Sequence, residues 1–266
     1  MIVRIYKLLV TVAVTVMSAF VFDEANPLIV VPLALICGYL ISNILLWLFI
    51  LSVATVASKK PENAKLSVFY GSVLNMAYCE VRKFAMIDLK VTGKEIIPDR
   101  PYLLVANHRS NFDNFILSSI IKNPHLVYIS KPQNFAIPFA GRIITRCGYL
   151  PIDKDDPRKA LKTIHKAADM VKNDGAYMGV FPEGRRVFEG GIIPFSEGCF
   201  LVAKKAACPV LVASIRGTEN IKKRFPRRTV VNIDFLTVID EETVAANRSG
   251  DISAIAFNAI NDNLTK

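Results

Sequence analysis

Between Lys7 and Lys59 the chain carries only two charges, Asp23 and Glu24, and these divide the segment into uncharged runs at 8–22 and 25–58. A bilayer core of about 30 Å takes roughly 20 helical residues. The second run is long enough to span with residues to spare, with Pro27 and Pro32 near its start. The first is short for a perpendicular span. Asp23, Glu24, Asn26 and Pro27 form a polar turn between them, so the pattern predicts a helical hairpin over residues 1–60. Arg4 and Lys7 before it and Lys59 and Lys60 after it put both ends on the cytoplasmic side by the positive-inside rule. Crossing the bilayer and dipping into one leaflet both fit these lengths. A secretory signal over residues 1–22 is the competing reading. No A-x-A site precedes Asp23, and a signal leaves the second apolar run unexplained.

From residue 61 to 266 the pattern is that of a folded domain. Leu66, Phe69, Tyr70, Val73, Leu74 and Ala77 recur at helical spacing and predict a helix over 62–86, with Pro61 near its start. Strands are predicted at 87–91, 102–106, 127–130, 176–181, 210–215 and 229–235, with a short extended piece at Leu150 and Ile152. Helices are predicted at 115–121, 197–207 and 252–264. Another opens at the Asp156–Pro157 cap, turns Leu161, Ile164, Ala168 and Val171 inward, and ends near Gly175. Strands that alternate with helices predict an α/β fold: a mostly parallel sheet covered by helices on both faces.

Composition sharpens this picture. The 266 residues are 52% hydrophobic with a net charge of +10, and the domain stays basic without the hairpin. The densest cluster is Arg216, Lys222, Lys223, Arg224, Arg227 and Arg228, interrupted by Glu219. A solvated basic face accounts for it, as does attraction to anionic headgroups or an acidic partner protein. No nucleic-acid motif accompanies the charge. The five cysteines are odd in number and none lies at CxxC spacing, which argues against a disulfide framework or a zinc site.

Two blocks carry candidate chemistry. Ala-Asn-His-Arg-Ser-Asn-Phe-Asp at 106–113 follows an apolar strand and opens a helix, the position where α/β sheets place ligand sites. Of the three histidines, only His108 has a carboxylate, Asp113, across such a junction. An imidazole held by a carboxylate is a general base. A helix-capping Asp113 beside a structural histidine is the plainer explanation of the same spacing. The second block, Val-Phe-Pro-Glu-Gly-Arg-Arg at 180–186, also follows a strand. Its Pro182 and Gly184 favour a tight turn, and an arginine there suits a phosphate. A loop with a local ion pair is the alternative.

These blocks, with Lys131, Gly141, Pro151-Ile152-Asp153 and Pro209-Val210 in the same order, resemble the glycerolipid acyltransferases, the family that includes 1-acylglycerol-3-phosphate acyltransferases. The resemblance covers about residues 87–216. Asn107, His108, Ser110 and Asp113 match the family's NHxSxxD block. Phe181, Pro182, Glu183, Gly184 and Arg186 match its Phe-Pro-Glu-Gly-Thr-Arg block, with Arg185 in place of the threonine; in the block between, Lys154 follows Pro151-Ile152-Asp153 in place of a more usual arginine. The resemblance implies catalysis by His108 and Asp113. It places the phosphate and glycerol of the acceptor on Lys131, Glu183, Gly184 and Arg186, with Asn107, Ser110, Phe181 and Pro182 in support.

The implied reaction moves a fatty acyl group from acyl-CoA or acyl carrier protein to the free hydroxyl of 1-acylglycerol-3-phosphate at a membrane, without metal or cofactor. Backbone N–H groups near residue 113 are candidate donors to the carbonyl oxygen. Another lysophospholipid or glycerol 3-phosphate as acceptor stays open. So do an inactive membrane lipid-binding protein and a phosphohydrolase with His108 and Asp113 as metal ligands.

Overall fold

The structure, a computed structural model, describes residues 2–57, 66–188 and 191–265. The chain divides into two compact units, Met1–Ala57 and Ser58–Lys266. Of the helix expected over 62–86, residues 62–65 lie outside the described residues, as does the expected boundary at 60/61; Leu66 precedes the helix, because Ser67 caps it by accepting from Tyr70 N.

The first unit is a hairpin of α1 (Ile2–Val21) and α2 (Pro27–Val56), both long and apolar enough to cross a membrane. Asn26 caps α2 by accepting from the Leu28 N–H, and Pro27 takes the first helical position. The helix α1 begins earlier than its apolar run, so Arg4 and Lys7 lie within it. Lys7 keeps its charge satisfied by donating to Asn43 Oδ1 of α2 at 2.7 Å and lying over the Tyr39 ring. Ala34, Gly38, Ser42, Leu46, Ile50 and Ala54 recur every fourth residue and form the buried stripe of α2. Small residues let the helices close up: a Cβ on Gly38 would lie 2.8 Å from Thr11 Cα.

The second unit is a seven-stranded sheet in the order β1-β7-β6-β2-β5-β3-β4. The strands are β1 (Ile87–Thr92), β2 (Leu103–Ala106), β3 (Leu126–Ser130), β4 (Leu150–Pro151), β5 (Tyr177–Val180), β6 (Val210–Arg216) and β7 (Thr229–Ile239). All pairs are parallel except β6 with β7. All of β2 and all but the last residue of β6 are buried. Side chains alternate across a strand, so such burial requires cover on both faces. The cover comes from α3 (Val68–Phe84) packed on α4 (Asp113–Ile121), α6 (Pro157–Asp174) packed on α7 (Leu201–Ala206), and α10 (Ser249–Thr265) on β6 and β7. Three short helices, α5 (Ala140–Arg146), α8 (Ile221–Arg224) and α9 (Glu241–Ala246), fill the connections.

The cap of α6 is as expected: Asp156 accepts from the Arg158 and Lys159 N–H groups, and Gly175 ends the helix at φ +72°. Leu161 departs from expectation and is 46% exposed. Burial on α6 begins only at Ile164 and continues through Ala167, Ala168, Met170 and Val171, so the first turn does not reach the core. The predicted helix 197–207 is also broken. A 3₁₀ turn at Glu197–Phe200 precedes α7, and it carries the Phe200 ring into full burial.

Candidate active site

The site begins where β2 ends. Asn107 clamps this strand to its neighbour: its Oδ1 accepts from Ile215 N at 2.8 Å and its Nδ2 donates to Ile215 O at 3.0 Å. The chain then turns into α4, and Asp113, the first residue of that helix, is fully buried. Its Oδ2 accepts from His108 Nδ1, Arg109 N and Ser110 N, each at 2.7 Å. Its Oδ1 accepts from Thr218 Oγ1 at 2.6 Å. Four donors from two loops leave this carboxylate no rotational freedom. They also fix the imidazole: Nδ1 carries the proton toward Asp113, which leaves Nε2 as the basic nitrogen. The ring is held flat against Phe181, with centroids 4.3 Å apart and planes at 16°. Its side chain stays 21% exposed.

Ser110 has a supporting place. Its Oγ accepts from Phe112 N at 3.0 Å, and it has no hydrogen bond to His108. The N–H groups of residues 109, 110, 112 and 113 are all consumed inside this turn. Those four are therefore not free donors for a developing oxyanion, contrary to the expectation for the helix start.

The second block forms a turn beside the first. Gly184 N donates to Phe181 O at 3.0 Å, and Gly184 adopts φ +67°. A side chain at Gly184 would collide with Lys154 Nζ, which donates to the Gly184 carbonyl at 2.7 Å. The two blocks are tied together by Val187 N to His108 O at 2.9 Å and by Arg109 to Val187 O. Arg186 reaches Asn111 Oδ1 at 2.5 Å and lies over the Phe188 ring. Pro182 is buried, and its carbonyl accepts from Ser196 N.

Glu183 differs from its neighbours. Both carboxyl oxygens are buried with no hydrogen-bond partner among the described residues. Burial pushes its pKa up to about 7. The nearby His108 backbone N–H pulls the value down, as do Arg109 and Arg185, while Asp113 pushes it up. Lys131, at the carboxyl end of β3, is exposed, and its side chain has no hydrogen-bond partner among the described residues. It lies close enough to Lys154 to help lower that lysine's pKa, although burial is the larger cause. Gly141 is packed so tightly on the Phe135 carbonyl that no side chain fits there.

Residues 88–216 match the family described as Acyltransferase. Residues 88–216 thus form an acyltransferase-like segment. It is 29% identical over 198 residues to the 1-acyl-sn-glycerol-3-phosphate acyltransferase of Escherichia coli, covering 73% of this chain and 78% of that protein. To the 1-acyl-sn-glycerol-3-phosphate acyltransferase of Saccharomyces cerevisiae it is 28% identical over 174 residues, 63% of this chain and 56% of that protein. The Pseudomonas aeruginosa protein of the same name is 33% identical over 130 residues, 49% of this chain and 50% of its own length. The chain thus spans about half the length of the Saccharomyces cerevisiae and Pseudomonas aeruginosa relatives. Its fold is similar to that of the crystal structure of 1-acyl-sn-glycerophosphate acyltransferase from Thermotoga maritima, with a TM-score of 0.58 at 23% identity over 85% of this chain and 95% of that one.

The turns at 107–113 and 181–186 thus meet at the carboxyl edge of the sheet, with Lys131 at the end of β3, whereas Pro209-Val210 lies at the opposite edge, beside the start of β2. One residue at the carboxyl edge, Thr218, and one contact, that of Lys154, were not anticipated from the sequence. Thr218, beyond the matched region, holds Asp113. Its only sequence signal is a place just past the carboxyl end of a strand. Lys154 supports the Gly184 turn by a backbone contact that no spacing rule anticipates.

Proposed function

We propose that this chain transfers a fatty acyl group from a thioester to the free hydroxyl of 1-acylglycerol-3-phosphate, forming phosphatidic acid. The observation that carries the proposal is the His108–Asp113 pair, oriented by four hydrogen bonds and open to solvent only on the imidazole side. His108 Nε2 takes the proton of the acceptor hydroxyl as its oxygen attacks the thioester carbonyl. Asp113 stabilises the resulting imidazolium. The tetrahedral intermediate collapses, the C–S bond breaks, and the imidazolium returns its proton to the departing thiolate. Ester and thiol are the products, and no acyl-enzyme is needed because the acceptor alcohol is the nucleophile.

In this scheme Lys131 and Arg186 hold the acceptor phosphate as charge-assisted donors. Glu183, with its raised pKa, supplies a carboxyl toward the glycerol, and the Gly184 turn, braced by Lys154, fixes its position. Asn107, Ser110, Phe181 and Pro182 keep the two turns in place. A metal-dependent phosphohydrolase fits the geometry less well: both oxygens of Asp113 accept from protein donors and the group is fully buried. Residues 1–60 serve as a membrane-associated hairpin and 61–266 as the acyltransferase domain, which faces the cytoplasm at an anionic membrane. The donor is acyl-CoA or acyl carrier protein. No cofactor, metal or nucleic acid takes part.

The test is to supply the full chain in phospholipid vesicles with labelled acyl-CoA or acyl carrier protein and a panel of acceptors. The acceptors are 1-acylglycerol-3-phosphate, glycerol 3-phosphate and lysophospholipids with larger headgroups. Labelled phosphatidic acid formed by the wild type and lost with His108→Ala is the expected result. Label transferred only to another acceptor would replace the substrate, and transfer to none would overturn the activity.

A further inference from the structure

We infer that the turn between α3 and β1, together with the loop from Lys222 to Arg228, is a docking surface for an anionic lipid bilayer. The inference rests on the proposal that this chain works at a membrane. It adds which surface of the catalytic unit meets the lipid, and by what chemistry.

The loop reads Lys-Lys-Arg-Phe-Pro-Arg-Arg, with five cations and no acidic residue. All seven residues are exposed, and none of the five cations has an ion-pair partner among the described residues. A solvated basic face would satisfy the charge alone but does not account for the aromatic residues inside it. Phe225 is 48% exposed and Phe84, from the end of α3, 74%. Their ring centroids lie 5.6 Å apart. Met86 adds exposed apolar surface, and its carbonyl joins the two segments by accepting from Thr229 N at 3.1 Å. Aromatic side chains amid unpaired cations suit the boundary between headgroups and acyl chains, where the rings enter and the cations stay with the phosphates. An acidic protein would satisfy the cations without needing the exposed ring pair.

The topology puts this surface on the working side of the sheet. The strands β2, β5 and β6 run parallel, and His108 follows the carboxyl end of β2. Because β7 is antiparallel to β6 and β1 is parallel to β7, the starts of β7 and β1 lie at that same edge. The basic loop and the α3–β1 turn therefore share the edge that carries the catalytic corner. The link is direct: Thr218 binds Asp113, Ile221 is buried as a root, and the exposed cations begin at Lys222. A bilayer that holds this loop also holds the opening beside His108 at lipid level.

The test reads lipid contact rather than turnover, so it can fail separately from the proposed reaction. The full chain carrying Trp47→Phe and Phe225→Trp has a single indole, placed at an exposed position. It is reconstituted in vesicles of phosphatidylcholine with bromine on the acyl chains, with or without about one third phosphatidylglycerol as the anionic lipid. The expected result is strong quenching of the indole with anionic lipid. That quenching should fall by about half or more without it, or when Lys222, Lys223, Arg227 and Arg228 are changed to Gln. Salt at about 1 M, where charges are screened beyond about 3 Å, should weaken it similarly with no further substitution. An indole unquenched in every vesicle, or quenched equally without anionic lipid, overturns the inference. So does an indole that only added acyl carrier protein shields, because the surface then serves a protein.

Discussion

The two halves of the candidate site are built on opposite terms. Around Asp113 both carboxylate oxygens accept from within the protein, and the group is held by His108, Arg109, Ser110 and Thr218. Across the site the turn from Phe181 to Arg186 leaves groups unsatisfied. Both oxygens of Glu183 lack partners among the described residues, and Lys131 points to solvent without one. A base must be oriented before substrate arrives, whereas groups that bind a polar headgroup must keep their hydrogen-bonding capacity for it. In the proposed reaction, the difference separates a corner for chemistry from a surface for recognition.

Substitutions in the corner should strike turnover hardest. Asp113→Asn is expected to lower kcat by about 10³–10⁴-fold, because the amide favours the wrong imidazole tautomer. His108→Ala should cost about 10²–10⁴-fold. Circular dichroism must show both variants folded, and near-normal turnover by either would erase the distinction between the halves. On the recognition side, Arg186→Ala should lower kcat/KM for the phosphate-bearing acceptor by roughly 10- to 100-fold, the worth of a charge-assisted hydrogen bond. The KM for the acyl donor should change little. Lys131→Ala should act in the same direction, and an unchanged acceptor KM would remove the phosphate role.

Glu183 sharpens the comparison through pH. Between the ordinary glutamate range and about 7, the unfolded chain releases a proton that the folded chain retains. Stability therefore falls as pH rises through that window, and the whole cost is present above it. Glu183→Gln should abolish this slope and leave the variant more stable than wild type above pH 7 by on the order of 2 kcal/mol. Thermal unfolding of the two proteins across that range measures it, and parallel curves would show that the unsatisfied carboxyl carries no such cost. The smallest effect belongs to Thr218→Val. It removes one of four hydrogen bonds to Asp113 and should lower kcat by about tenfold or less without changing KM. A change confined to KM would mean that Thr218 acts on binding rather than on the pair.

Much of this was readable along the chain. The hairpin follows from two uncharged runs and a polar turn, the α6 boundaries from Asp156, Pro157 and Gly175. The catalytic candidates follow from one histidine with a carboxylate at a strand-to-helix junction. The failures have local causes. Leu161 obeys the helical period yet lies one turn beyond the core, and periodicity says which face a residue shares but not how far the neighbouring layer extends. Lys7 looked like a flank of the membrane segment. It lies inside α1 because Asn43, thirty-six residues away, receives its charge.

Local patterning determined by itself the elements, the hairpin and the identity of the acid–base candidates, because capping, periodicity and turn chemistry act over a few residues. Tertiary structure alone decided what those candidates meet. Thr218 reaches Asp113 across 105 positions, and Phe84 meets Phe225 only because β7 runs against β6 and returns the chain to the same edge. The burial of Glu183, and hence its raised pKa, likewise depends on two turns from distant strands closing over one carboxyl. Such effects arise from desolvation and from contacts across the sheet, and neither is encoded in the spacing of neighbouring residues.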